Sequence, residues 1–269
     1  MYLADYHTHS RFSADGRASM LDMARAAAAA GLDEICFTDH FEPVALRSTT
    51  LRTSFDWGGQ TAEFQDAVSQ WDGPVKLRLG LELGDAPVDI PGTERLLEGR
   101  PDHDFIIGSV HMLSARFGMK DLGWLREPDE QTCYAEVEDY LEGLLKMARW
   151  GKFNVLGHLT LPLRYMNEKR GFHISMDRYG VQIEEILRTL IGNGCGIEVN
   201  TNRGAQPLPG ERWLRLYREL GGEIITLGSD AHRPEDVGKG IREGQALLRA
   251  CGFTRFCTFE RQEPVWHAL

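Results

Sequence analysis

The chain has 269 residues, 42% hydrophobic and 26% charged, with its glycines and prolines scattered, which fits one globular domain and excludes a fibre or a disordered segment. A net charge of −10 excludes a general nucleic-acid surface, which needs a Lys/Arg stripe, so an anionic substrate would have to meet a local source of positive charge. No run approaches the roughly 18 apolar residues of a membrane span and no basic-then-apolar leader opens the chain, so a cytoplasmic protein is expected.

Met1-Tyr2-Leu3-Ala4 leads into Asp5-Tyr6-His7-Thr8-His9, a first strand with two histidines at its exit. Residues i and i+2 of a strand face one way, so both imidazoles can reach one metal ion. Ser19 to Asp22 offers a helix cap, and the Ala-rich run Met23 to Ala30 is helical until Gly31. Glu34 to His40 is a second strand, and residues 41–57, with Arg47, Ser48, Thr49, Thr50 and Arg52, form a long loop. A helix over 59–71 precedes the alternating strand Val75 to Glu82. After a loop over 85–91 and a short helix over 92–98, Asp104 to His111 is a buried fourth strand.

Met112 to Pro128 is another long loop, followed by an amphipathic helix from Thr132 to Trp150. Phe153 to His158 is the fifth strand, Ser175 to Ile191 a helix, Gly196 to Asn200 the sixth strand, Glu211 to Leu220 a helix and Glu223 to His232 the seventh strand. Pro234 is expected to open a final helix, with Glu235 and Asp236 in its first turn, and Arg255 to Phe259 a peripheral strand. Cys36, Cys133, Cys195, Cys251 and Cys257 are widely spaced and form no CxxC, so they read as reduced core residues.

Seven strand–helix alternations imply a parallel sheet, as a barrel or doubly wound, with its site at the carboxyl ends of the strands. Of the nine histidines, His7, His9, His40, His111, His158 and His232 stand at such ends, together with Glu82 and Asp230, and Asp15 lies in the first loop. His103, His173 and His267 fall elsewhere and are expected at the surface. Nine imidazoles and carboxylates in one mouth would be costly to bury without cations. They exceed one ion's coordination sphere once water and substrate have positions, so two or three divalent ions are implied, Zn, Fe or Mn.

The set His7-Thr-His9, Asp15, Thr38-Asp39-His40, Glu82, Ser109-Val-His111, Gly157-His158 and Ser229-Asp230-Ala-His232 resembles the polymerase and histidinol phosphatase (PHP) family over residues 5–240. Asp104 to His111, Gly157 to Arg164 and Glu198 to Thr201 are similar to its bacterial histidinol-phosphate phosphatases. The resemblance implies an α/β fold, a distorted (β/α)7 TIM-like barrel forming a single domain over 1–269. It implies a trinuclear centre in which His7, His9, Glu82 and Asp230 hold one ion, Asp15, His40 and His232 a second, and Glu82, His111 and His158 a third, Glu82 bridging. The activity implied is hydrolysis of L-histidinol phosphate by a hydroxide bridging two ions; the alternative is a nucleotide or another small phosphate ester.

Three ions against three carboxylates leave a surplus of about +3 to draw a phosphate dianion. Arg164 and Arg203 are candidates for forked contacts to the substrate phosphate, and Asp230, His232 or water for leaving-group protonation. The chain departs from the family pattern after Asn200-Thr201, where Asn202-Arg203-Gly204 replaces Ser-Gly, so the loop carrying Arg203 is expected to be shifted. No nucleic-acid or membrane partner is expected, and the oligomeric state is left open.

Overall fold

A computed structural model describes residues 1–44, 50–126 and 129–269. The opening run forms β1 (Ala4–Thr8), buried throughout. Ser19 caps α1 (Met20–Ala29) by accepting from the Asp22 N–H, and Met20, Met23, Ala24 and Ala27 turn one face of that helix to the core. The second wall position is split into β2 (Glu34–Phe37) and β3 (His40–Phe41). Then come α2 (Trp57–Gln70), β4 (Lys76–Gly84), α3 (Ile90–Leu97), β5 (Phe105–Ser109), α4 (Glu130–Trp150) and β6 (Val155–Leu156). The rest of the wall is α5 (Gly180–Gly192), β7 (Gly196–Asn200), α6 (Glu211–Glu219), β8 (Ile225–Gly228) and α7 (Ile241–Ala250).

Strands pair in parallel in the order β1-β2-β4-β5-β6-β7-β8. Both β2 and β3 pair with β4, so the wall has seven positions, in agreement with the alternation in the sequence. It closes where the His9 N–H donates to the Ala231 carbonyl at 2.8 Å and the Asp230 N–H to that of His7 at 2.9 Å. Those two bonds tie the first strand to the last where the candidate ligands stand. The distortion is visible in β1, whose register against β2 shifts between Asp5 and Thr8, the mark of a bulge. All five cysteines are free and buried, as their apolar contexts suggest.

Some boundaries differ from the sequence reading for local reasons. The helix expected at Pro234 is only a 3-10 turn over Pro234–Asp236, because Gly238 and Gly240 then take φ of 76° and 77° and α7 starts after them. Ser175 likewise caps a 3-10 turn, Met176–Tyr179, ahead of α5. The peripheral strand is real, as β9 (Arg255–Glu260), but it has a partner that was not expected, β10 (Glu263–Ala268). Arg261 and Gln262 supply the two left-handed residues of a tight hairpin turn. Phe259 of that hairpin hydrogen-bonds the Tyr6 hydroxyl through N–H and carbonyl, each at 3.0 Å, at the amino-terminal side of the barrel. Arg47, Ser48, Thr49 and Pro128 lie outside the described residues.

Two of the three histidines assigned to the surface are not there. His103 is 1% exposed, with Nε2 3.0 Å from Gln60 Oε1 of α2 and its ring against Trp57. His267 is half-buried, stacked on Tyr2 at 3.9 Å. His173 is exposed. Burial, aided by Arg100, pushes His103 down to about 3 from its ordinary 6.5. The unfolded chain therefore takes up a proton near pH 6.5 that the folded chain refuses, so this residue's stabilisation is full above pH 6.5 and is lost as pH falls towards 3. Urea midpoints across that range should fall less steeply for His103→Asn than for the wild type. Parallel curves would show that the ring is not held neutral.

Candidate metal centre

Glu82, at the inward carboxyl end of β4 and 1% exposed, divides the histidines between its two oxygens. Oε2 lies 3.2 Å from His7 Nε2, 3.4 Å from His9 Nε2 and 3.0 Å from His40 Nδ1. Oε1 lies 3.1 Å from His111 Nε2 and 3.0 Å from His158 Nε2, which are themselves 3.3 Å apart. Asp230 Oδ1 stands 3.8 Å from His7 Nε2 and 3.6 Å from His9 Nε2. Asp15, at the mouth, is 3.1 Å from His232 Nε2 and 3.7 Å from His40 Nε2. All nine candidate ligands are thus brought together. For comparison, donors about 2.0–2.1 Å from a tetrahedral zinc are spaced about 3.3–3.4 Å apart.

The donor set fits cations on an observation independent of its composition. His7 Nε2, His9 Nε2, His40 Nδ1 and Glu82 Oε2 are buried and lack a hydrogen-bond partner among the described residues. Leaving a polar atom so costs about 1–3 kcal/mol, and four converge here on one space. Burial disfavours charge at each group around them. Even so, Glu198 and Glu82 hold His7 well above the usual imidazole range, and Glu82 with Glu42 lifts His40 to about 9. Burial with His232 and His40 alongside drives His9 well below that range. The buried carboxyls of Glu82, beside His7, and Asp230, beside Arg164, stay well below the carboxylate range. His7 and His40 thus hold protons against these carboxylates, and metal cations would replace those protons.

The opposite ring nitrogens explain why so many rings point inward. His7 Nδ1 is 2.7 Å from Glu198 Oε1, His111 Nδ1 2.7 Å from Glu42 Oε1, His9 Nδ1 3.0 Å from Ser13 Oγ and His232 Nδ1 3.0 Å from the Asp230 carbonyl. Such contacts fix tautomer and ring orientation. Asp39 in turn accepts from the Ser10 and Ser13 N–H and hydroxyl groups, holding the loop that carries His9. Sequence reasoning gave no role to Glu42 or Ser13, and saw Glu198 only inside a motif. The signal for one of them was present: Glu198 precedes Asn200 by two in the same strand, so the two share a face.

Arg164 begins a π-helical turn, Arg164–Glu168, beyond β6. It is 5% exposed, its guanidinium donating to Asp230 Oδ2 at 2.5 Å and Asn200 Oδ1 at 3.1 Å. Arg203 reaches the Asp230 carbonyl at 3.5 Å. Its loop is unusual, with Asn202 and Arg203 in succession at φ 51° and 54°. Asp85, His158 and Asp230 also have left-handed φ of 50°, 22° and 60°, so strained backbone gathers round the site. A cavity of about 500 Å³ opens above it, with Arg164, Lys169 and Arg203 among its lining residues.

The chain and its fold have counterparts. The chain is 30% identical to a probable histidinol-phosphatase of Deinococcus radiodurans, over 97% of this chain and 98% of that one. It is 29% identical to a histidinol-phosphatase of Lactococcus lactis, over 95% and 93%. A crystal structure of the Lactococcus lactis histidinol phosphate phosphatase complexed with zinc, L-histidinol and phosphate is similar at a TM-score of 0.78 and 25% identity, covering 98% of each chain. The PHP domain model matches residues 5–202, a span that includes every candidate ligand except Asp230 and His232, and the chain belongs to the PHP domain family.

Proposed function

We propose that this protein is a metal-dependent phosphomonoesterase that hydrolyses L-histidinol phosphate to L-histidinol and phosphate in histidine biosynthesis, acting in the cytoplasm. The observation that carries the reading is the convergence of four buried, unpartnered ligand atoms around Glu82, in a chain similar over its whole length to a phosphatase solved with zinc, L-histidinol and phosphate. His7, His9, Glu82 and Asp230 would hold one divalent ion, Asp15, His40 and His232 a second, and Glu82, His111 and His158 a third. Zinc, iron and manganese all suit such donors. Bound ions supply Lewis acidity and generate a nucleophile from water at neutral pH.

The chain's own groups do the rest. Arg164 and Arg203 take phosphate oxygens, Arg164 held in place by Asp230 and Asn200. Asp230, kept ionised by Arg164, is placed to accept a proton from the attacking water and to pass it to the leaving alkoxide. His232, at the mouth with Nδ1 on the Asp230 carbonyl, turns Nε2 towards Asp15 and the ion it would share with Asp15 and His40. The reading is tested with metal-reconstituted protein: phosphate release from L-histidinol phosphate with kcat/KM of at least about 10⁴ M⁻¹s⁻¹, and two to three ions per chain. Better turnover of a different ester would overturn the substrate, and fewer than two ions would overturn the multinuclear centre.

A further inference from the structure

Six carboxylates line the cavity: Asp15, Glu42, Glu82, Asp121, Asp230 and Asp236. Five are already matched. Asp15 faces His232, Glu42 faces His111, Glu82 faces five imidazoles, Asp230 pairs with Arg164, and Asp236 pairs with Lys239 at 2.7 Å. Asp121 has no cationic side chain within ion-pair distance among the described residues. Its carboxylate receives only the Gly123 N–H, on Oδ1 at 2.7 Å, which leaves Oδ2 for a ligand.

Its setting is fixed rather than incidental. Asp121 caps the 3-10 turn Leu122–Trp124, and the Leu122 N–H donates to the His111 carbonyl at 2.8 Å, tying the turn to the end of β5. Leu122, Trp124 and Tyr165 line the same cavity, so the carboxylate stands beside an apolar and aromatic wall. The cavity thus offers a cationic group of Arg164, Lys169 and Arg203 for an anion, and one uncompensated carboxylate for a cation.

We propose that Asp121 is a specificity residue that binds the ammonium group of an aminoalkyl phosphate, with Trp124 covering the adjoining ring. The proposal rests on the phosphatase reading given above and adds the residue that separates such a substrate from other phosphate esters. A carboxylate–ammonium hydrogen bond is lost as about 10- to 100-fold in binding.

The test is Asp121→Asn, which keeps an acceptor for the Gly123 N–H and so preserves the turn while removing the charge. We expect the ratio of kcat/KM for L-histidinol phosphate to that for phenyl phosphate to fall at least fivefold, through KM. Inhibition of phenyl phosphate hydrolysis by L-histidinol should weaken by a similar factor relative to inhibition by inorganic phosphate, and Asp121→Glu should restore part of both. A ratio that falls less than fivefold, in a protein whose wild type turns over L-histidinol phosphate, overturns this proposal and leaves the phosphatase reading standing. A wild type that hydrolyses phenyl phosphate but not L-histidinol phosphate overturns both.

Discussion

Asp230→Asn should lower kcat on L-histidinol phosphate by about two to four orders of magnitude while the protein stays folded. Three roles meet on this carboxylate. Oδ1 faces His7 and His9, Oδ2 anchors Arg164, and the residue adopts φ 60°, a conformation that asparagine tolerates better than most. The substitution is close to isosteric, so the backbone and the Arg164 contact can persist while the charge disappears. What is lost is a negative ligand for a divalent ion and an ionised proton acceptor. Arg164, 5% exposed, loses its counter-ion as well, so some loss of thermal stability accompanies the kinetic effect. Steady-state kinetics, metal analysis and circular dichroism on the same preparation separate these contributions. Activity within tenfold of wild type would remove Asp230 from the chemistry.

The site was legible from the sequence to the extent that chemistry coincided with strand ends. Hydrophobic runs of five to ten residues, all but the sixth closing on His, Glu or Asp, locate both the barrel wall and the converging groups, because a parallel barrel points its strand ends into one mouth. The groups that orient the ligands were harder to see. Ser13 reaches His9 from within a loop, a contact that leaves no local pattern, and Glu198 meets His7 from a strand far away in the chain, so its face was legible but not its partner. Arg164 lies beside the candidate ligands, and its tether left no trace in the sequence, since the ion pair to Asp230 spans 66 positions. His103 was misassigned for a related reason: loop position indicates exposure only where no helix covers the loop, and Gln60 of α2 covers this one.

Glu82→Gln should have the other large effect, and it separates two roles of that side chain. Oε1 accepts from the Ser109 hydroxyl and faces His111 and His158, Oε2 faces His7, His9 and His40, and an amide leaves only one of the two positions as an acceptor. The expected outcome is loss of at least one ion per chain and a fall in kcat/KM of about 10³-fold or more. The metal-free protein offers a second readout. Burial lowers the pKa of His40 and the Glu82 carboxylate lifts it, the balance standing at about 9 against an ordinary 6.5. The pair's stabilisation is therefore complete below pH 6.5 and is lost as pH rises through 9. Chelated wild-type protein should lose stability over that interval, and chelated Glu82→Gln should lose less. Reloading wild type with zinc should also flatten the slope, because the ion then supplies the positive charge that the proton supplied. A slope that persists in the variant would mean that another carboxylate holds these imidazoles charged, and Glu42, 3.7 Å from His40 Nδ1, is the next to test.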